Sequence, residues 1–260
     1  MTMKNTCSLT ICHLYPGLMD GNSDIGNLLV LTRRMRWRGI EPLIVEYRPG
    51  GVFPQGVDLM IGGGYQSGAK KTVTPDLPRI AENVHELIEA GAPALAVCGT
   101  YQMFGKHMTS VGGQTFEGIG IFDAYTVFES ERLVGNIVTR NPEMGTIIGY
   151  ENHQGRTYLG STAVPFAQVM SGAGNNGTDK TEGIHYKHAI GTYLHGPLLP
   201  KNPLVADYLI QHAFERKFQE PLPSIVAALG NEQCERNPSC FVDIDELTRN
   251  ARERAMARPR

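Results

Sequence analysis

Residues 92–104 read APALAVCGTYQMF, a short apolar run that ends at Cys98 and continues into helical spacing. An unbroken apolar run of this length is typical of a strand buried on both faces, as in a parallel sheet covered by helices. Cys98 then lies outside the carboxyl end of that strand, where open α/β sheets bind their ligands. The amino end of the following helix favours a thiolate there. The stretch predicts an α/β fold with a candidate nucleophile, and a cysteine that only packs at the strand end is the alternative.

The residues before this stretch repeat the alternation of strand and helix. The predicted strands are short apolar runs at residues 8–14, 42–47, 57–61 and 92–97. The predicted helices have apolar residues three and four positions apart, at residues 27–38, 76–90 and 99 to about 107. This order predicts a mostly parallel central sheet with helices on both faces.

Strands dominate the second half of the chain, which predicts added antiparallel strands. They are predicted at residues 118–128, 133–140, 146–151, 168–170 and 189–194, followed by a helix at 203–217. Residues 1–217 are predicted to form one domain. Residues 218–260 are predicted to form a C-terminal appendage with a charged helix at 243–258.

Composition excludes several classes of protein. The 260 residues carry 24 Lys and Arg against 26 Asp and Glu, a net charge of −2, which argues against binding nucleic acid by neutralising its phosphates. No apolar run approaches the roughly 20 residues of a membrane span, and the amino terminus does not read as a signal peptide. The five cysteines are odd in number and lack CxxC spacing, which favours reduced thiols and a cytoplasmic protein.

Two further features favour a reactive Cys98. Gly62, Gly63 and Gly64 follow the predicted strand at 57–61, and their backbone N–H groups can approach a ligand closely. One of them, with the N–H that follows Cys98, would form an oxyanion hole. His195 follows the predicted strand at 189–194 and is the candidate base, with His153 as its rival.

These motifs together resemble a known family. CGTYQ at 98–102, GGG at 62–64 and GTYLHGP at 191–197 resemble class I glutamine amidotransferases of the cobyric acid synthase-like group. LYPGLMDGNSDIGN at 14–27, GYENHQGRT at 149–157 and the block at 172–203 resemble the glutaminase subunit of lipid II isoglutaminyl synthase. The resemblance covers about residues 9–214 and implies a three-layer, flavodoxin-like class I glutamine amidotransferase fold.

The resemblance implies roles for individual residues. Cys98 resembles the nucleophile that attacks the side-chain amide of glutamine, forms a thioester and releases ammonia. His195 resembles the base and acid of that reaction. Gly63 or Gly64, together with Gly99, resembles the oxyanion hole.

The resemblance also implies two substrate-binding residues. Two other residues differ from the family's pattern around the nucleophile. Arg132 resembles an arginine that holds the glutamine α-carboxylate, a role that suits a bidentate guanidinium. Gln102 follows the nucleophile as in the family pattern and is a substrate-binding candidate. Ala96 and Thr100 replace the glycines of a Gly-x-Cys-x-Gly pattern, and the β-branched Thr100 is expected to crowd the turn.

The third member of a catalytic triad is missing from its usual place. In many class I amidotransferases a glutamate lies two residues after the catalytic histidine, but here that position is Pro197. Asp24, in a loop rich in Asp and Asn, and Glu151 are internal candidates. The hypothesis favoured by the sequence is that a partner subunit supplies the carboxylate at the interface.

The resemblance also implies a partner. A Mur-ligase-like, ATP-dependent subunit would use the ammonia to amidate the D-glutamate of the peptidoglycan stem, which is membrane-bound although no membrane insertion of this chain is expected. The chain has no GxxxxGK[ST] motif, so ATP and Mg²⁺ are expected on that partner and no cofactor is expected here. The alternatives are an amidotransferase of corrin biosynthesis, which usually carries an ATP-binding domain upstream, a non-catalytic binding subunit, and a stand-alone cysteine hydrolase.

Overall fold

Two sheets organise the part of the chain that the structure, a computed structural model, describes: residues 7–22, 24–66, 68–225 and 244–257. The first sheet is formed by β1 (Ser8–Leu14), β2 (Glu41–Tyr47), β3 (Leu59–Gly62), β4 (Ala94–Val97), β11 (Ile184–Tyr186) and β12 (Ala189–Thr192). The second sheet is formed by β5 (His107–Thr109), β6 (Thr115–Glu117), β7 (Ala124–Asn141), β8 (Gly145–Leu159), β9 (Ala167–Ser171) and β10 (Thr181–Glu182). The helices are α1 (Ile25–Arg36), α2 (Lys70–Glu89), α3 (Gly99–Phe104), the 3₁₀ helix η1 (Leu199–Lys201), α4 (Pro203–Phe218) and α5 (Ile244–Met256).

The order of the first sheet brings the predicted site together. Its strands run β11-β12-β4-β3-β1-β2, with only β11 antiparallel to its neighbour. β4 therefore lies between β3 and β12. Because the carboxyl ends of parallel strands meet at one edge, the segments after these three strands converge.

Both faces of β4 are buried, as its apolar sequence predicts. Leu95 and Val97 pack into the core on the side of α1 and α4, whereas Ala94 and Ala96 pack into the core on the side of α2. These four side chains are at most 1% exposed. A strand with apolar partners on both sides is held rigidly, and so is the cysteine that follows it.

The second sheet differs from the prediction in its long hairpin. β7 and β8 pair over 18 and 15 residues, where shorter separate strands are predicted. The register shifts between Phe128 and Leu133. The gap between the two predicted strands at this point is therefore a bulge within one strand, and not a loop between two strands. The short strands β5, β6, β10 and β11 are not predicted by the sequence, because two or three residues carry no periodic signal.

The helices depart from prediction at their ends. α3 stops at Phe104, and His107 lies on β5, because extended Gly105 approaches the Ala124 carbonyl too closely for a side chain. α2 begins at Lys70, six residues before the predicted start, and the Lys70 ammonium lies over the rings of Phe116 and Phe128 at 4.7 and 4.4 Å.

The C-terminal helix is present, as predicted from its charge pattern. α5 contacts η1 and β8, and Arg252 donates a hydrogen bond to the Thr146 carbonyl. Cys234 and Cys240, expected to be reduced thiols, lie outside the described residues. Among the described helices, none is both long and apolar enough to cross a bilayer.

Candidate active site

Cys98 occupies a strained turn between β4 and α3. Its backbone has φ +50° and ψ −99°, a region that non-glycine residues rarely adopt and that costs on the order of 1–3 kcal/mol. The Cys98 N–H donates to the Thr192 carbonyl at 2.8 Å, and the Cys98 carbonyl accepts from Gln102 N–H at 2.9 Å. These bonds hold the thiol at the amino end of α3, as the sequence predicts for a nucleophile at a strand-to-helix turn.

His195 is buried beside Cys98 and contacts a carboxylate of the same chain. Its Nδ1 lies 3.1 Å from each oxygen of Asp24, and both side chains are at most 3% exposed. Nε2 has no hydrogen-bond partner within the described residues and is free to exchange a proton with the thiol. Burial lowers the pKa of His195, but the Cys98 sulfur and the Asp24 carboxylate outweigh burial and raise it to about 10. The imidazole is therefore protonated at neutral pH and lies beside the Cys98 sulfur.

The hypothesis that a partner subunit supplies the third carboxylate stays a prediction, and Asp24 is the carboxylate of this chain that contacts His195. The other internal candidate, Glu151, contacts a different segment. Its carboxylate accepts hydrogen bonds from the N–H groups of Ala173 and Gly174 at 2.9–3.1 Å and so fixes a loop. Asp24 stands at the start of α1 without capping it, which leaves its side chain for His195.

Gly64 lies beside Asp24, His195 and Cys98. Its N–H donates to Asp24 Oδ2 at 2.8 Å. A Cβ at Gly64 would lie 3.1 Å from His195 Cε1 and 3.4 Å from the Cβ of Cys98. A Cβ at Gly63 would lie 2.3 Å from the Met19 carbonyl oxygen. The glycines therefore allow close packing of the backbone against neighbouring segments, and the predicted approach to a ligand stays a prediction.

The oxyanion hole remains a prediction for these glycines. The Gly64 N–H is directed to Asp24 in this structure, whereas the Gly99 N–H belongs to the first turn of α3, where amides have no partner inside the helix. A side chain at Gly99 would collide with the Tyr65 ring, 2.6 Å from the position of its Cβ. The Gly99 amide is thus the better placed of the predicted donors.

Thr100 is expected to crowd the turn that carries Cys98, but the structure accommodates its side chain. Its Oγ1 and its N–H both donate to the Gly63 carbonyl, at 2.8 and 3.2 Å. The space for its side chain comes from Gly62, where a Cβ would lie 2.6 Å from Thr100 Oγ1. The threonine therefore ties the nucleophile turn to the glycine segment, a role that the sequence did not reveal.

Polar side chains in and just after the loop that follows β1 make hydrogen bonds to different parts of the chain. Asp20 accepts from His13 Nε2 at 2.8 Å and from the Gly17 N–H at 2.6 Å, which fixes the shape of the loop. Asn27 Oδ1 accepts from the Leu199 N–H at 2.9 Å, which anchors the segment just beyond His195. Formation of turns and capping of α1 do not alone explain these polar residues, because Asn27 also binds the segment that follows His195.

Gln102 and His153 lie together beneath the site. Gln102 Nε2 donates to the Tyr193 hydroxyl at 3.1 Å, and Gln102 is only 3% exposed. The His153 ring stacks on Tyr193 with centroids 3.7 Å apart, and its Nδ1 contacts the Gly155 carbonyl at 2.7 Å. Burial lowers the pKa of His153 to about 3, which keeps this imidazole neutral and unlike His195. The substrate-binding role of Gln102 stays a prediction.

Arg132 lies on β7 within the bulge, between Phe128 and Leu133, where the pairing with β8 is interrupted. Its Nε donates to Asn152 Oδ1 and its Nη2 to the Asn152 carbonyl, both at 3.0 Å. The backbones of Tyr150 and His195 are paired through two hydrogen bonds of 2.9 and 3.3 Å. Asn152, the residue that Arg132 contacts, lies on β8 two positions after Tyr150.

A family model described as the CobB/CobQ-like glutamine amidotransferase domain matches residues 10–203. The chain belongs to this family of glutamine amidotransferases. It is 42% identical over 210 residues to the lipid II isoglutaminyl synthase (glutamine-hydrolyzing) subunit GatD of Staphylococcus aureus, covering 80% of this chain and 86% of that protein. It is 33% identical over 232 residues to the subunit of the same name from Streptococcus pneumoniae, covering 87% and 89%.

More distant relatives include longer enzymes. The cobyric acid synthase of Azorhizobium caulinodans is 32% identical over 228 residues, which are 79% of this amidotransferase but 42% of that protein. The structure of PurLQS from Thermotoga maritima superposes with a TM-score of 0.53 at 14% identity, covering 80% of this chain and 98% of that one. A crystal structure of a glutamine amidotransferase gives 0.54 at 15% identity, covering 78% and 98%. These two likenesses concern the fold, and they confirm the predicted class I amidotransferase fold.

The described residues were compared with the arrangements of side chains that bind metal ions. Within residues 7–22, 24–66, 68–225 and 244–257, no group of three or more His, Cys, Asp or Glu side chains is arranged to hold a metal ion.

Proposed function

We propose that this amidotransferase is the glutamine-hydrolysing subunit of a lipid II isoglutaminyl synthase. The observation that carries the proposal is its 42% identity to a subunit of that name over 86% of that protein's length. The Cys98–His195–Asp24 geometry supports it, because a thiolate, an imidazolium and an orienting carboxylate are the groups needed to hydrolyse an amide.

In the first half of the reaction, the Cys98 thiolate attacks the side-chain amide carbon of glutamine. The C=O π electrons move to oxygen, and the Gly99 N–H at the start of α3 stabilises the resulting oxyanion. His195 then donates its Nε2 proton to the amide nitrogen as the C–N bond breaks. Ammonia leaves, and a thioester to Cys98 remains.

In the second half, water replaces ammonia. His195 is now neutral and takes a proton from the water, whose oxygen attacks the thioester carbon. The C–S bond breaks, glutamate leaves, and the thiolate–imidazolium pair is restored. Asp24 keeps the proton of His195 on Nδ1 throughout, so that Nε2 always faces the reacting atoms.

Arg132 is the residue to which we assign the α-carboxylate of glutamine. Its guanidinium stands at the rim of the site on the side where β8 meets His195. A planar guanidinium binds a carboxylate through two parallel N–H···O bonds, which would select an amino acid over a simple amide.

The ammonia would be used on a second subunit. The relatives above are named as subunits, which supports an assembly of at least two chains. We propose that the partner is Mur-ligase-like, holds ATP and Mg²⁺, and activates the D-glutamate carboxylate of the peptidoglycan stem. In this arrangement the complex works in the cytoplasm on a membrane-bound substrate.

The test is reconstitution with a Mur-ligase-like protein of the same organism. Glutamate release is measured with and without the partner, and mass spectrometry follows replacement of the stem-peptide carboxylate by an amide. We expect glutamate release and amidation to require Cys98, so that Cys98→Ala abolishes both. Glutamine hydrolysis coupled to a corrin carboxylate, but not to lipid II, would favour the corrin alternative instead.

A further inference from the structure

The structure assigns a positioning role to Asn152: it holds the Arg132 guanidinium ready for the glutamine α-carboxylate and ties it to the loop that carries Asp24. This inference rests on the proposed function, because it presumes that Arg132 binds that carboxylate. It concerns how the substrate specificity of the site is built, and not the chemical step.

The guanidinium is held by one residue through two different atoms. Arg132 Nε donates to the side-chain oxygen of Asn152, and Nη2 donates to its backbone carbonyl. An exposed arginine without such contacts would lose rotamer freedom when a ligand binds, which weakens affinity. Nη1 makes no hydrogen bond within the described part of the chain. The outer edge of the guanidinium therefore stays available for a carboxylate.

The amide nitrogen of Asn152 contacts Asn22, in the loop that carries Asp24. Its Nδ2 donates to Asn22 Oδ1 at 3.3 Å. Asn22 has φ +54°, a left-handed conformation that asparagine tolerates, and it lies two residues before Asp24. A short chain of contacts thus runs from Arg132 through Asn152 and Asn22 to the loop that orients His195.

Both contacts require an amide at position 152. The oxygen accepts from a cation while the nitrogen donates to an acceptor, so only one orientation of the amide satisfies both neighbours. An aspartate has no N–H for Asn22, and its charge would compete with the substrate carboxylate for Arg132. An alanine removes both side-chain contacts and leaves only the backbone carbonyl.

The backbone position of Asn152 is set by the sheet and not by a loop. Val134 pairs with Asn152 across β7 and β8, and Tyr150 pairs with His195. Arg132 lies in the bulge between Phe128 and Leu133 and contacts Asn152 on β8. The distance between the carboxylate-binding group and the catalytic histidine is therefore fixed by strand register.

The test compares glutamine hydrolysis by the wild-type complex, Asn152→Ala, Asn152→Asp and the control Gln154→Ala. Gln154 is half-buried on the same strand, and its Nε2 donates to the Ser130 carbonyl at 3.4 Å, outside the chain of contacts. We expect Asn152→Ala to raise KM about tenfold, the size of one lost bond to a charged group, with kcat changed less than about twofold. Asn152→Asp is expected to raise KM further, and Gln154→Ala to match the wild type.

A double-mutant cycle separates positioning from direct contact. In an Arg132→Ala background, Asn152→Ala is expected to have no further effect on KM. The α-amide of glutamine, which lacks the carboxylate, is expected to be used equally well by Asn152→Ala and the wild type. An additive effect in the double variant, an equal loss on the α-amide, or a fall in kcat at unchanged KM would overturn the inference.

Failure of the proposed function gives a different result. In that case the wild-type complex would not amidate lipid II, whether it hydrolyses glutamine for another acceptor or not at all. Calorimetric titration of glutamine into the inactive Cys98→Ala chain then tests Asn152 alone. A second substitution of Asn152 to Ala that leaves the Kd unchanged would refute the role of Asn152, and a weakening of about tenfold would support it.

Discussion

Both oxygens of the Asp24 carboxylate lie 3.1 Å from His195 Nδ1, although 171 residues separate the two in sequence. Asp24 Oδ2 also accepts the Gly64 N–H at 2.8 Å. One carboxylate therefore orients the catalytic imidazole and fixes the glycine segment next to the thiol. Asp24 is therefore the candidate within this chain for the third member of a catalytic triad.

Replacing Asp24 tests that statement. Asp24→Asn keeps the shape of the side chain but can turn an N–H toward His195, which favours the wrong tautomer of the imidazole. We expect kcat for glutamine hydrolysis to fall on the order of 10²- to 10⁴-fold. The loss is expected to persist when the partner subunit is added. Restoration of full activity by the partner would show that a carboxylate from another chain does this work.

The fit between Thr100 and Gly62 predicts a coupled pair of substitutions. Gly62→Ala places a Cβ 2.6 Å from Thr100 Oγ1, and such overpacking costs about 1–3 kcal/mol. Thr100→Gly removes the hydrogen bond from Oγ1 to the Gly63 carbonyl and lowers the free energy of unfolding by about 2 kcal/mol. Because the second change opens the space that the first one needs, the double variant is expected to be more stable than the sum predicts, by roughly 1 kcal/mol or more.

Denaturant unfolding of the four proteins measures this coupling. Circular dichroism confirms that each variant is folded before the comparison is made. Strictly additive free energies of unfolding would show that the threonine and the glycine do not compete for the same space.

The pKa of His195 predicts an unusual pH dependence. The thiolate and Asp24 raise this pKa from 6.5 to about 10 in the folded protein. The imidazolium therefore persists in neutral solution, and the alkaline limb of kcat/KM is expected near pH 10. For a group whose pKa is raised by folding, the stabilisation is complete below about pH 6.5 and is lost as the pH rises through 10.

Cys98→Ala provides the control for this titration. Without the sulfur, burial dominates and the pKa of His195 is expected to fall, which NMR of the imidazole can follow. The unfolding free energy of this variant is then expected to depend less on pH between 6.5 and 10 than that of the wild type. Identical histidine titrations in the two proteins would disprove the ion pair.

Cys98 is expected to react with iodoacetamide before the other four thiols. The paired imidazolium and the start of α3 favour its thiolate, whereas burial raises the pKa of Cys12 to about 12. Peptide mass spectrometry after brief labelling identifies the modified residue. His195→Ala is expected to slow labelling of Cys98, and equal labelling of all five cysteines in the wild type would contradict the prediction.

The sequence by itself determined the parallel half of the fold and the nucleophile. APALAV at 92–97 is apolar on both faces, so β4 had to be an inner strand, and the cysteine after it had to lie at a carboxyl edge. The glycines at 62–64 and His195 follow strands of the same sheet. Local pattern suffices for such residues, because burial and strand direction place them at one edge without further information.

Only the tertiary structure decided which side chains complete the site. The pairing of Asp24 with His195 depends on strand order, on a loop held by Asp20, and on Asn27 of α1, which binds the segment after His195. The contact of Arg132 with Asn152 depends on a bulge that shifts the register of β7 against β8. Contacts of this kind join residues far apart in the chain, and a one-residue change in register would break them, so no local pattern of sequence encodes them.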